Sequence, residues 1–189
     1  MSGPNPTLLD ALLELQLLDR VPRSGYLLRG IGDGESVAEH SFHVALLVRL
    51  LAPREAGIDA ARAVELALLH DLGELRIGDL PANAAGYLPA GAKHEAERKA
   101  VADVLAPDAT GALDGYRDYE SRTSREARFV AACDKLQLMI KVSVYQRQGR
   151  GALAEFWRNP ANFPDAEFGA VRELFDELRS RFGVRTGSD

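Results

Sequence analysis

The stretch Leu66-Ala67-Leu68-Leu69-His70-Asp71-Leu72-Gly73-Glu74 sets a histidine and an aspartate side by side inside an apolar helical run. Neighbouring helical residues point about 100° apart, so both side chains can lean toward one point beside the helix. Glu74 lies four residues beyond His70 and returns to its face, and Asp79 follows about a turn later at the helix exit. A carboxylate buried against an imidazole is costly unless it is paired or bound to a cation. Alone, a His-Asp dipeptide is more often a satisfied core pair or a helix-end cap than a ligand set. Two further residues shift that balance. His40 and Asp134 sit in apolar settings on what read as two other helices. Helices that each carry ligands to one centre are a familiar way of building a metal site in a bundle.

Outward from this stretch the punctuation is helical. Asn5-Pro6 can start a first helix with a leucine stripe (Leu8, Leu9, Leu12, Leu13, Leu15, Leu17), which ends in the irregular segment from Arg20 to Gly25. Ser36-Val37-Ala38-Glu39 is a capping box that opens the helix bearing His40. Asp59 can cap the helix bearing His70, which must stop by Gly78. Residues 82–92 read as a loop, Lys93 to Leu105 as a charged helix and 107–115 as a linker. Thr123-Ser124-Arg125-Glu126 reads as a second capping box, opening a long helix that carries Asp134 and ends at Gly149 and Gly151. A short helix around Trp157 and an amphipathic helix from Pro164 to about Phe182 close the chain. The expected fold is all-α: one compact helical domain over residues 1–189, with its core between about 8 and 182 and a frayed tail from Thr186.

Composition narrows the function classes. Hydrophobic residues make up 46% and charged residues 27%, which excludes a mostly disordered chain. A net charge of −5 without a basic tract disfavours a polymeric nucleic-acid surface, though a small anion needs only one or two local cations. The single cysteine, Cys133, excludes an intrachain disulfide and a four-cysteine zinc site. Four histidines exclude any site that needs five or six. No apolar run reaches the roughly 18 residues of a membrane span, and no signal segment is evident, so the expected location is cytoplasmic.

The order His40 … His70-Asp71 … Asp134 resembles the ligand pattern of the HD-domain metal-dependent phosphohydrolases. Five longer segments are similar to their 5′-deoxynucleotidase branch: Leu18 to Tyr26, Glu35 to Ser41, His70 to Glu74 with Ile77 to Pro81, Lys93-His94-Glu95, and Glu126 to Val130. The resemblance runs from about Leu8 to Phe182. It implies one divalent ion (Mn, Co, Fe, Ni or Zn) on His40, His70, Asp71 and Asp134, with an activated water as nucleophile. It implies Glu74 as the catalytic glutamate that handles the proton of that water, and Asp79 as a further essential carboxylate near the substrate. It implies Arg20 as the arginine facing the phosphate, and a homodimer. The implied reaction is hydrolysis of (deoxy)ribonucleoside 5′-monophosphates to nucleoside and phosphate.

Other residues carry two readings each. Lys135, next to Asp134, can reach a phosphate or be held in a salt bridge. Arg23 is a second phosphate contact or a surface arginine. His43 is a core or rim histidine, or a further ligand. His94 lies on a solvated face or at the rim. Cys133 reads as a small buried hydrophobe. Val21 stands where some bacterial members carry a tryptophan at the sugar, so selectivity for the 2′-deoxy sugar is expected to be modest. The alternatives are an HD phosphohydrolase acting on another small phosphate ester or nucleotide analogue, and a non-catalytic nucleotide-binding module. A triphosphohydrolase would want more cations, and a dinuclear phosphodiesterase more histidines.

Overall fold

The computed structural model describes residues 7–106, 111–164 and 167–183. The α-helices are α1 (Leu8–Leu15), α2 (Ser24–Leu27), α3 (Val37–Leu51), α4 (Ala60–Leu69), α5 (Glu74–Ile77), α6 (Ala92–Val104), α7 (Ala112–Ser121), α8 (Arg125–Arg147), α9 (Ala154–Arg158) and α10 (Gly169–Phe182). Tighter 3₁₀ turns cover Gln16–Arg20, Ala52–Arg54, Ala82–Tyr87 and Pro160–Asn162. Among the described residues there is no strand, only an isolated antiparallel bridge between Pro22 and Ser36. The fold is all-α, as expected.

Helix starts follow their capping chemistry. Ser36 Oγ accepts the Glu39 N–H at 3.2 Å, and Glu39 Oε2 accepts the Ser36 N–H at 2.8 Å, closing the box ahead of α3. Asp59 Oδ1 accepts the N–H groups of Ala61 and Arg62 at 2.9 and 3.1 Å. The first helix is capped by Thr7, in a box with Asp10; the expected start at Asn5-Pro6 lies outside the described residues.

Other boundaries differ from expectation. The cap of α8 is Ser124, whose Oγ accepts the Ala127 N–H at 3.0 Å. Glu126 does not reach back to Thr123; it accepts the Asp59 N–H at 2.9 Å and ties α8 to the start of α4. The segment 82–87 winds into a 3₁₀ turn, α7 begins at Ala112 inside the expected linker, and α10 begins at Gly169, five residues after Pro164. Most of the leucine stripe does not face the core: Leu8, Leu9, Leu12 and Leu13 of α1 and Leu17 of the turn after it are exposed, Ala11 is buried, and Leu15 packs against the cluster of Leu72, Val101 and Tyr116.

Helices α3, α4 and α8 pack against one another pairwise, and α7 and α10 lie against α8. Their shared core includes Val44 and Val48 of α3, Leu66 of α4, Phe129, Leu136 and Met139 of α8, and Phe175 of α10, all fully buried. Burying a side chain of this size stabilises by roughly 1.5–3 kcal/mol, so these three helices form the stiff frame of the molecule. A smaller cluster of Leu72, Val101 and Tyr116 joins the turn after α4 to α6 and α7. Gly73 permits this approach, because a Cβ there would lie 2.8 Å from Glu97 Cβ of α6.

Candidate metal centre

Each helix of the central frame delivers one part of a single cluster. His40 is on the first turn of α3, Asp134 is on α8, and His70-Asp71 immediately follows the last turn of α4. The sequence reading put His70 and Asp71 inside a continuous helix. In the structure α4 ends at Leu69, and the chain tightens into i→i+3 bonds, with Leu72 N–H on Leu69 O at 3.1 Å and Glu74 N–H on Asp71 O at 3.0 Å. This tighter winding brings Asp71 round beside His70.

The contacts converge on the two Nε2 atoms. His40 Nε2 lies 3.2 Å from His70 Nε2, 3.4 Å from Asp71 Oδ2 and 3.2 Å from Asp134 Oδ1. His70 Nε2 lies 3.1 Å from the same Asp71 oxygen. Both histidines are buried. Their tautomers follow from their other nitrogens. His70 Nδ1 faces the Ala67 carbonyl at 2.7 Å, and His40 Nδ1 faces Gln137 Oε1 at 2.6 Å. Each of those oxygens can only accept, so each Nδ1 carries the proton and each Nε2 offers its lone pair inward.

Two lone pairs and two carboxylates facing one point repel unless a cation sits among them. Ligands about 2.0–2.2 Å from one ion stand roughly 3 Å from each other, which matches the spacings here. The electrostatics agree. Burial opposes charge on His70, yet Asp71 and Asp134 outweigh it and raise its pKa. Burial also opposes the Asp71 carboxylate, and His70, Arg23 and His40 outweigh it and hold Asp71 below the usual carboxylate range. The site therefore favours positive charge at its centre. His40, His70 and Asp71 form a group able to hold a divalent ion, and Asp134 joins it through its contact with His40.

Around this cluster opens a cavity of about 720 Å³, with His70, Asp71 and Asp134 in its wall together with Arg23, Glu74, Asp79, Lys93 and Lys135. Glu74 is buried, and among the described residues its Oε2 has no hydrogen-bond partner. Burial, then the Asp71 and Asp79 carboxylates, push its carboxyl up to about 10 against the pull of Arg23 and Lys93. Lys135 Nζ reaches Asp134 Oδ2 at 3.1 Å, so its two readings meet in one place: it is salt-bridged and it lines the cavity.

The two arginines exchange places relative to expectation. Arg20 does not line the cavity; its side chain is 82% exposed and, among the described residues, pairs with Asp19 at 3.4 Å. It ends a 3₁₀ turn, and the chain then swings inward through the Pro22–Ser36 bridge. Arg23, just beyond, is 13% exposed, with Nη1 3.1 Å from Asp71 Oδ2, 3.7 Å from Glu74 Oε2 and 3.9 Å from Asp79 Oδ1. Asp79 holds that segment in place, its Oδ2 accepting the Ser24 N–H at 2.7 Å and the Ser24 hydroxyl at 3.2 Å.

The remaining histidines stand apart. His43 does not line the cavity, and its Nδ1 is 3.7 Å from Glu35. His94 lies at the cavity wall with its side chain mostly exposed. Sequence reasoning passed over Lys93, whose Nζ lies 3.9 Å from Glu74 Oε1, and Gln137. Gln137 had a signal: it follows Asp134 by three residues, on the same face of α8.

The family model described as HD domain matches residues 15–163, a span that holds all four converging side chains. The chain belongs to the HD-domain family. Among its HD-domain relatives, the human 5′-deoxynucleotidase HDDC2 is 30% identical over 183 residues, covering 92% of this chain and 85% of its own length. A conserved hypothetical protein from Pyrococcus furiosus superposes with a TM-score of 0.79 at 35% identity, covering 91% of this chain and 99% of that one. A protein from Magnetospirillum magnetotacticum, named a predicted metal-dependent phosphohydrolase, gives a TM-score of 0.64 at 25% identity, covering 92% and 91%. The HD domain and this donor set together imply a divalent metal, which His40, His70 and Asp71 can hold.

Proposed function

We propose that this HD-domain chain is a metal-dependent 5′-nucleotidase that hydrolyses 2′-deoxyribonucleoside 5′-monophosphates to nucleoside and phosphate. The observation that carries the reading is the convergence of His70, Asp71 and Asp134, in the wall of a cavity of about 720 Å³, with His40 directly behind them. That size is ordinary for a small-molecule site, and the relatives' name, 5′-deoxynucleotidase, supports the substrate class. A divalent ion on these four residues, of the Mn, Co, Fe, Ni or Zn type, supplies a Lewis acid that polarises the phosphoryl group and lowers the pKa of water.

The chain's own residues divide the remaining work. Glu74 handles the proton at Oε2, the buried oxygen that takes no hydrogen bond from the described residues and has Arg23 Nη1 at 3.7 Å. A carboxyl raised toward neutrality or above is suited to acid–base transfer. Arg23 takes the phosphate role that the family resemblance gave to Arg20, because its guanidinium is the one that faces the cluster; its planar fork suits phosphoryl oxygens. Lys135 adds a second cation at the same wall. Asp79 acts through Arg23 and Ser24, which it holds.

The exposed leucines of α1, and Phe42, Leu46 and Leu50 spaced four apart along α3, favour a homodimer. Exposed rows of large apolar side chains that meet on one face are uncommon on monomers.

Phosphate release measured across paired deoxy- and ribonucleoside 5′-monophosphates, with each metal in turn, tests the substrate. The expected result is turnover of the deoxynucleotides with a modest advantage over their ribose partners. Equal rates on both sugars, or activity confined to a phosphate ester that is not a nucleotide, would overturn the deoxynucleotidase reading and leave the metal hydrolase standing.

A further inference from the structure

Behind His40, on the side of its Nδ1, two buried polar side chains and a partly exposed lysine follow one another. Gln137 Oε1 lies 2.6 Å from His40 Nδ1, and Gln137 Nε2 donates to Glu35 Oε2 at 3.0 Å. Gln137 and Glu35 are each 3% exposed. Lys141, one turn further along α8 from Gln137, reaches the same Glu35 oxygen at 3.0 Å. The Glu35 backbone is fixed as well, its N–H donating to the Tyr145 hydroxyl at 2.8 Å.

We infer that Gln137 is a positioning residue for the metal centre, an amide relay whose direction is set by Glu35 and which holds His40 in the one tautomer that presents Nε2 to an ion. The argument is one of donors and acceptors. An amide can face either way, and a buried carboxylate settles which, because it accepts and cannot donate. Glu35, paired with Lys141, therefore turns the Gln137 NH₂ toward itself. The Gln137 carbonyl must then face His40, and it can only receive a proton from Nδ1. A ligating histidine whose outer N–H is held by such a partner keeps its ring orientation, and losing the partner typically weakens metal binding. The amide also separates two charges. The nearest direct approach of Glu35 to His40 is 3.9 Å, too far for a hydrogen bond. The relay thus passes on the direction of the carboxylate while a neutral carbonyl meets the imidazole.

This inference rests on His40 being a metal ligand, so the test reads metal and tautomer rather than turnover. Co²⁺ is titrated calorimetrically into chelator-stripped protein, and the stripped protein is examined by histidine ¹⁵N NMR. Gln137→Met, which keeps the length of the side chain and loses the amide, should weaken Co²⁺ binding about 10–100-fold and leave His40 as a mixture of tautomers. Glu35→Gln, which keeps the shape and frees Gln137 to turn over, should shift His40 in the same direction by a smaller amount. The exchange Glu35→Gln/Gln137→Glu restores an acceptor at His40 and a donor behind it, and should recover most of the affinity.

Gln137→Met and Glu35→Gln variants that bind Co²⁺ as tightly as wild type, with His40 still protonated on Nδ1, would overturn the relay and leave the metal centre intact. An exchange variant that binds no better than Gln137→Met would also overturn it. A wild-type chain that takes up no Co²⁺ would overturn the metal centre itself, and the relay with it.

Discussion

Arg23 and Arg20 lie three residues apart, yet one is packed against three carboxylates and the other is turned to solvent. Sequence could not separate them, since both fit a phosphate-binding arginine and the turn that divides them depends on the bridge between Pro22 and Ser36. Arg23→Ala should lower kcat/KM by about 10²-fold or more, as expected when a charge aimed at a developing anion is removed. It should also destabilise the fold by about 3–5 kcal/mol, because buried carboxylates lose their partner. Arg20→Ala should leave kcat/KM close to wild type and stability within about 0.5 kcal/mol. Steady-state kinetics and urea melts on the two variants check this. Comparable losses in both would return the phosphate role to Arg20.

Glu74 carries the pH dependence. Its folded pKa of about 10 lies above the ordinary glutamate value of 4.5, so between these limits the folded chain holds a proton that the unfolded chain has released. Stability of the chelator-treated protein therefore falls as pH rises through this window. Glu74→Gln removes that titration, so its Tm should gain on wild type steadily from pH 5 to pH 9, while turnover falls about 10²–10⁴-fold. A Tm difference that stays flat with pH would mean that Glu74 is ionised in the folded chain. His40, His70, Asp71, Asp134 and Glu74 were legible in sequence as a group because such side chains are costly to bury unless paired or bound to a cation, while their roles as ligands and as proton carrier came from the family resemblance alone. Gln137 shares a face of α8 with Asp134, but that spacing alone does not reveal its two partners, His40 and Glu35, which come from distant parts of the chain.

At the scale of elements, capping chemistry was the most dependable guide. Ser36 and Asp59 start α3 and α4 as read, since a cap is a local bond between near neighbours. The box read at Thr123 failed for a tertiary reason: Glu126 is taken by the Asp59 N–H across the interface with α4. Ser124→Ala should therefore cost about 0.5–2 kcal/mol, and Thr123→Ala far less, by chemical denaturation. A larger loss at Thr123 would restore the original box. The end of α4 was misread for a related reason. Apolar periodicity runs on through Leu72, and nothing in it reports the change to i→i+3 winding that places Asp71 beside His70.

At the scale of the molecule, three helices packed by apolar burial bring His40, Asp134 and, at the end of α4, His70 and Asp71 together where their polar residues meet. The all-α fold was legible because patterning and punctuation agree along the chain. The facing of α1 was not, since a leucine stripe reads the same whether it meets the core or a second chain. If α1 and α3 present a dimer surface, sedimentation velocity should find two chains together in the wild type and one in a Phe42→Glu/Leu46→Glu variant. A wild type that sediments as a single chain at all concentrations would refute this. If His40, His70, Asp71 and Asp134 share one divalent ion, anomalous X-ray scattering from crystals grown with Mn²⁺ or Co²⁺ will locate it among them. The predicted result is a single peak within about 2.0–2.3 Å of all four side chains. A peak elsewhere, with these four residues drawn apart, would contradict it.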